Sequence, residues 1–245
     1  MFTDNVNAKA VSSGKPRGRG RPPGPTAQGR EARARLYRTA IRLMTQRGYE
    51  ATTLRDVAAA AGVSPGLLYR YFPSKRAVVL ALYEELSAEY AAQGALMPRG
   101  SWRSRFRFAL DASLRVLGPH RRTLSALVPV LIGDSEEGLF APATAFSRQR
   151  VLRVYLDAVT GASDAPKPAV AAPLGRLLYL VHLAVLMWWL LDKSPHQRAT
   201  TALVTLIDRG LALAGVALRL PPVQGIVRSG DALFREALFD DATAI

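Results

Sequence analysis

The stretch from Thr52 to Lys75, TTLRDVAAAAGVSPGLLYRYFPSK, leaves few folds open. Leu54, Val57, Ala58 and Ala61 recur at helical spacing, so one face of a short helix is apolar. Gly62 ends that helix, because glycine enters the left-handed cap conformation without a Cβ penalty. Ser64 then stands at an N-cap position with Pro65 in the first turn, and a second helix follows over Pro65–Phe72. It buries Leu68 and Phe72 and leaves Tyr69, Arg70 and Tyr71 near its exposed end. A helix of one or two turns gains little by itself, so its neighbours must hold it. Two short helices around a glycine turn, the second bearing Arg and Tyr, make a helix-turn-helix pattern.

The flanks are also helical. A helix from about Arg30 to Arg47 stops at Gly48. Ser74 caps a long helix from Lys75 to about Gln93, with Val78, Val79, Leu82, Tyr83 and Leu86 on its buried face. Gly94 and Met97-Pro98-Arg99-Gly100 break the chain and suggest a domain boundary. Beyond it, helices are expected over Trp102–Leu117, Pro119–Ile132, Ala143–Thr160, Leu174–Leu191 and Pro195 to about Arg219, with a weaker one over Val223–Phe239. No alternating strand pattern of useful length occurs, so the expected class is all-α. The expected division is a disordered basic arm over 1–29, a helix-turn-helix domain with its connecting helix over 30–93, and a helical domain over 100–240.

Composition narrows the chemistry. The 245 residues include no cysteine, which excludes disulfides, thiolate metal sites and a Cys nucleophile and fits a reducing cytosol. His120, His182 and His196 are too dispersed for a zinc motif, so neither metal nor cofactor is expected. Net charge is +14, and residues 1–35 alone carry 8 basic and 2 acidic side chains. Such a balance favours polyanionic partners, nucleic acid first and anionic membrane second. Met1 to Val11 is polar and lacks the apolar core of a signal peptide. The most apolar run, Leu177–Leu191, is 15 residues long with His182 inside, and reads as a buried core helix. The expected location is cytoplasmic.

From about Leu36 to Val79 the chain resembles the DNA-binding domain of the TetR family of transcriptional regulators. The resemblance rests on Ala40, Leu43, Met44, Gly48, Tyr49, Thr53, Val57, Ala58, Gly62, Val63, Ser64, Leu68, Tyr69, Tyr71, Phe72 and Lys75. The Tyr-x-Tyr-Phe-x-x-Lys run is its most specific part. The likeness weakens past about residue 100. It implies an N-terminal three-helix helix-turn-helix DNA-binding domain followed by a C-terminal helical ligand-binding and dimerisation domain.

The resemblance also assigns roles. It brings the start of the second helix, with Thr53 and Arg55, and the recognition helix from Ser64, Pro65 and Gly66 into the major groove. Arg55 is placed either to fork onto guanine or to contact a phosphate or a nearby acid such as Asp56. Gly66 lets the backbone approach DNA. Tyr69 and Tyr71 reach phosphates or thymine methyls, or one of them serves as core. Arg70 departs from the aromatic or small residue expected there, and Lys75 matches a phosphate-contacting lysine. In the arm, Arg19-Gly20-Arg21-Pro22 resembles an AT-hook, whose arginines enter the narrow minor groove at A·T pairs. A generic basic arm on phosphates is the alternative reading.

In this family the helices near the C-terminus pair two copies into a homodimer that reads a palindromic operator, and the candidates are Leu174–Leu191 and Pro195–Gly215. The central helices enclose an effector pocket. Candidate lining residues are Trp102, Phe106, Leu110, Leu127, Leu131, Phe146, Tyr155, Tyr179, His182 and Trp189, each of which ordinary core packing would also explain. The expected effector is small and apolar or amphipathic. The resemblance therefore implies a sequence-specific DNA-binding regulator, a repressor released by a small molecule. An architectural DNA-binding protein without an effector is the alternative. An enzyme is not expected, since no nucleophile elbow, phosphate loop or metal spacing occurs, and the acids Asp134, Glu136 and Glu137 read as a solvated run. No helix carries the Lys/Arg-rich polar face of a membrane-surface protein.

Overall fold

The computed structural model describes residues 27–133 and 138–238. Among them there is no strand, and the helices run in sequence as α1 (Ala27–Arg47), α2 (Leu54–Ala60), α3 (Pro65–Tyr71), α4 (Lys75–Gly94), α5 (Trp102–Leu117), α6 (Arg121–Ala126), α7 (Val128–Gly133), α8 (Ala145–Thr160), α9 (Pro168–Leu191), α10 (Arg198–Ala217) and α11 (Pro221–Leu238). The arm motif at Arg19 and Arg21 and the acids at 134–137 lie outside the described residues.

The N-terminal elements start and stop where local chemistry dictates. Thr53 and Asp56 form a capping box at the head of α2, and Ser64 and Ser74 accept from Leu67 N and Ala77 N to cap α3 and α4. Gly62 has φ +65°, the conformation that a tight turn between α2 and α3 demands. Leu36, Met44, Val57, Leu68, Phe72, Val79 and Leu82 interlock into the core of this head. That core also takes in Leu124, Leu127 and Trp189 from far along the chain. A second core joins the end of α4 to α5, α8 and α9 around Tyr155 and Tyr179. Gly175 permits it: a Cβ there would lie 3.0 Å from Leu156 Cα, so α9 crosses α8 almost backbone to backbone.

Three expectations need correction. The helix expected over Pro119–Ile132 is a 3₁₀ turn at Gly118–His120 followed by α6 and α7. Pro129 has no N–H to continue α6 and sits in the first turn of α7, where none is needed. α9 begins six residues before the expected Leu174 and runs through Pro173, with Pro168 at its first position. Burial of Val170 and Ala171 offsets the one hydrogen bond that Pro173 cannot make. The helix expected from Pro195 starts at Arg198, after a turn in which His196 and Gln197 take φ of 51° and 55°. Asp192 caps α10 instead, accepting from Ser194 N (2.8 Å), Thr200 N (2.9 Å) and Thr200 Oγ1 (2.6 Å). Those bonds, the Thr200 side chain foremost, hold its carboxyl well below the usual carboxylate range.

α9 and the segment Pro195–Ala217 are each long and apolar enough to cross a membrane. α9 is packed against α5, α6, α8, α10 and α11. α10 keeps an apolar stripe on the surface at Leu206, Leu213 and Val216, and α11 leaves Ile226 and Leu233 exposed.

Candidate nucleic-acid interface and central cavity

The helix-turn-helix presents a free, cationic and aromatic surface. The Thr53 hydroxyl is used internally, accepting from Asp56 N at 3.1 Å and donating to Asp56 Oδ2 at 2.7 Å. That embrace holds the Asp56 carboxyl below its ordinary value. The Asp56 carboxylate also accepts from Thr53 N at 3.0 Å, and the exposed Arg55 guanidinium has no hydrogen bond or ion pair among the described residues. Arg70 is likewise exposed and unengaged among the described residues, and Tyr69 is 47% exposed. Tyr71 is half-buried against the head core. Pro65 and Gly66 are exposed, and a Cβ on Gly66 would meet nothing within 4 Å. Lys75 is drawn inward: its Nζ donates to Tyr49 O at 2.9 Å, lies 4.3 Å over the Tyr49 ring and is 3.9 Å from Glu50. It ties α4 to the loop after α1 and retains donors for an outside oxygen.

Behind the head lies a cavity of about 500 Å³, within the ~300–1,000 Å³ range of small-molecule pockets. Of the ten lining candidates, Leu131, Tyr179, His182 and Trp189 stand on its wall. Trp102, Phe106, Leu110 and Tyr155 are packed in the second core and Leu127 in the head core. Phe146 is exposed beneath the Arg150 guanidinium, 4.4 Å from its ring centre. His182 is 2% exposed, with Nε2 2.8 Å from Ser113 Oγ and its ring 4.8 Å from that of Tyr155. Burial pushes its imidazole down to about 3, so it is neutral at ordinary pH. Burial pushes the Tyr90, Tyr155 and Tyr179 hydroxyls up.

Sequence reasoning passed over Ser113 and Arg148. Ser113 was legible, since it continues the Phe106–Leu110 face of α5 by helical spacing. Arg148 was not: it sits in the polar run Ser147-Arg148-Gln149-Arg150, yet is 7% exposed, donating to Leu139 O and Ala141 O at 3.2 Å. Arg121 was also missed. Its guanidinium closes the C-terminus of α9, donating to Trp189 O (2.8 Å) and Asp192 O (2.6 Å).

Residues 36–82 match the family of bacterial regulatory proteins of the tetR family. Over 46 residues the chain is 48% identical to the HTH-type transcriptional repressor KstR of Mycolicibacterium smegmatis, covering 19% of this chain and 22% of that one. It is 39% identical over 54 residues to the HTH-type transcriptional regulator YerO of Bacillus subtilis, covering 22% of this chain and 19% of the relative. The chain thus matches about a fifth of the length of these relatives. The fold agrees over much more. A TetR-family structure from Syntrophomonas wolfei superposes with a TM-score of 0.61 at 19% identity, covering 76% of this chain and 97% of that one. One from Streptomyces coelicolor gives 0.55 at 20% identity, covering 83% and 89%. The chain thus carries a helix-turn-helix head that matches the tetR family of bacterial regulatory proteins, on an all-helical body whose fold TetR-family structures share.

Proposed function

We propose that the protein is a homodimeric, cytoplasmic repressor that binds a near-palindromic DNA operator through α2 and α3 and leaves it when a small molecule fills the central cavity. It acts by binding and release and carries out no chemistry. One observation carries the DNA reading: Arg55, Tyr69 and Arg70 stand exposed, with both guanidiniums unengaged among the described residues, beside a glycine that no protein contact requires. Idle guanidiniums on a rigid helix pair suit base edges and phosphates. The apolar stripe of α10 and α11 is the face for a second copy, since one head alone buries too little for tight specific binding. This gives α11 the part that sequence reading assigned to α9.

Release follows from shared side chains. Leu124 and Trp189 both belong to the head core and line the cavity. Thr123, beside Leu124 on α6, is hydrogen-bonded to Thr45 of α1 at 2.7 Å. A ligand against Leu124 and Trp189 therefore bears on the surface that seats α1. It needs only a differential affinity for the two head positions, ~1–3 kcal/mol of coupling being typical.

Selection of bound duplexes from a random pool tests the reading. Two symmetric half-sites at fixed spacing are expected, and Arg55→Ala should relax one position in each. Equal binding of random duplex with a steep salt slope would instead make this an architectural protein.

A further inference from the structure

The cavity differs at its two ends. Ile132 and Leu238 are the exposed residues of its described wall, so it opens beside them. Residues 139–141 stand at that rim, where Leu139 N donates to Leu131 O at 2.9 Å, and the Arg148 guanidinium is bound to the carbonyls of Leu139 and Ala141. Tyr90, Ser113 and His182 are buried and form the closed end. The Tyr155 ring packs 4.8 Å from that of His182 and the Tyr179 ring 6.1 Å from it, which leaves room there for a small group only. Two wall atoms at this end, the Tyr90 hydroxyl and His182 Nδ1, are buried and make no hydrogen bond. Their rings are nearly parallel with centres 6.2 Å apart, so both belong to one small patch. Buried polar groups are normally satisfied, and two orphans together call for a partner. His182 Nε2 shares a proton with Ser113 Oγ at 2.8 Å. If Nε2 donates, Nδ1 can only accept. If Nε2 accepts, Nδ1 carries the ring proton and donates. A hydroxyl answers either tautomer, because it both donates and accepts, and its remaining site suits the Tyr90 hydroxyl.

We propose that the cavity takes a mainly hydrocarbon molecule head first, with a hydroxyl-sized oxygen group at the closed end between Tyr90 and His182 and its tail toward Ile132 and Leu238. The claim rests on the reading of the cavity as the effector site, and it names the leading end of the effector and its orientation. The head satisfies two groups that are otherwise buried at a cost, and the tail gains apolar burial along Leu86, Leu183 and Leu186. A bulky polar head does not fit, since most of its hydroxyls would be buried among rings without partners.

Titration calorimetry of the full chain with decan-1-ol and decyl β-glucoside tests this, since the two share one tail, carry no charge and differ in the size of the head. Head-first binding should make the alcohol about tenfold tighter or more, because the sugar hydroxyls cannot be buried unpaired. Equal affinities would put the head at the rim and overturn the proposal, as would failure of the alcohol to bind. In protein labelled with nitrogen-15 histidine, the His182 Nδ1 signal should move when the alcohol binds, and a signal that stays in place overturns the assignment of the head. Tyr90→Phe removes a hydroxyl alone and should weaken the alcohol about fivefold, the worth of one hydrogen bond. The two probes and the Nδ1 signal on the unaltered protein stand even if the variant misfolds. Operator release is read in parallel. An alcohol that binds head first but leaves the operator complex intact removes the effector reading and leaves the ligand class standing.

Discussion

Two residues separate the demands of fold from those of function. Gly66 lies inside α3 with open space where a Cβ would be, so the fold gains nothing from glycine there. Gly66→Ala should raise unfolding stability by ~0.5–1 kcal/mol, since glycine inside a helix is that much worse than alanine. The same methyl should weaken operator binding. A urea titration and a binding isotherm check the two halves, and unchanged affinity would mean that DNA does not approach Gly66. His182 is the second case. Its ordinary value of 6.5 falls to about 3 in the fold because burial disfavours the imidazolium. Above 6.5 neither state carries the proton. Between 6.5 and 3 the unfolded chain binds a proton that the folded chain refuses, so stability declines as pH falls and levels off below that window. The slope reaches ~1.4 kcal/mol per pH unit. Ser113, Tyr90, Tyr155 and Tyr179 surround the ring, and none gains or loses a proton across this window. His182→Gln should therefore lose less stability than the unaltered protein between pH 6.5 and 4.5 in urea titrations. Parallel curves would show that the imidazole protonates freely within the fold.

Among elements, α11 is tied to α9 by a buried ion pair beside its apolar packing. Arg176 on α9 donates Nε to Asp231 Oδ1 at 2.6 Å and Nη2 to Oδ2 at 2.7 Å, a bidentate clasp on a carboxylate that is almost fully buried. Removing one partner strands the other charge. Asp231→Ala should cost ~3 kcal/mol and expose α11 to proteolysis, whereas a joint Arg176→Met and Asp231→Leu change should recover most of the loss. Thermal melts and limited proteolysis distinguish these outcomes. Most helices were legible from spacing and caps, α5 to the residue. The failures lay at prolines: Pro129 split a helix that hydrophobic spacing ran together, and Pro173, expected in the break before Leu174, lies inside α9. Spacing reports burial, and burial at Val170 and Ala171 outweighed the local preference.

At the scale of the whole molecule, the exposed apolar face of α10 is where the proposed second copy would pack. Leu213 is 77% exposed and Leu206 67%, in line along one helix face, with Gly210 between them and no atom within 4 Å of its Cβ position. Leu213→Asp puts a charge at the centre of this face and should give a folded monomer in sedimentation, with operator affinity at least tenfold lower. A dimer that persists would move the interface elsewhere. The sequence indicated two pairing helices, and tertiary packing treats them differently, because α9 packs against five other helices of its own chain while α10 leaves Leu206, Leu213 and Val216 exposed.

The helix-turn-helix head was determined by sequence alone. Its caps, its φ-positive glycine and the spacing of its apolar face depend on residues within a few positions of one another, and Leu124, Leu127 and Trp189 only complete its core. The cavity was decided by tertiary structure. Leu131 and Trp189 reach its wall while Leu127 and Tyr155 enter solid core, although all four look alike in sequence. Arg148 is buried and Arg55 idle, although both are arginines in polar stretches. Periodicity fixes which face of a helix is apolar, and only the crossing of distant helices fixes whether that face meets a neighbour or a void.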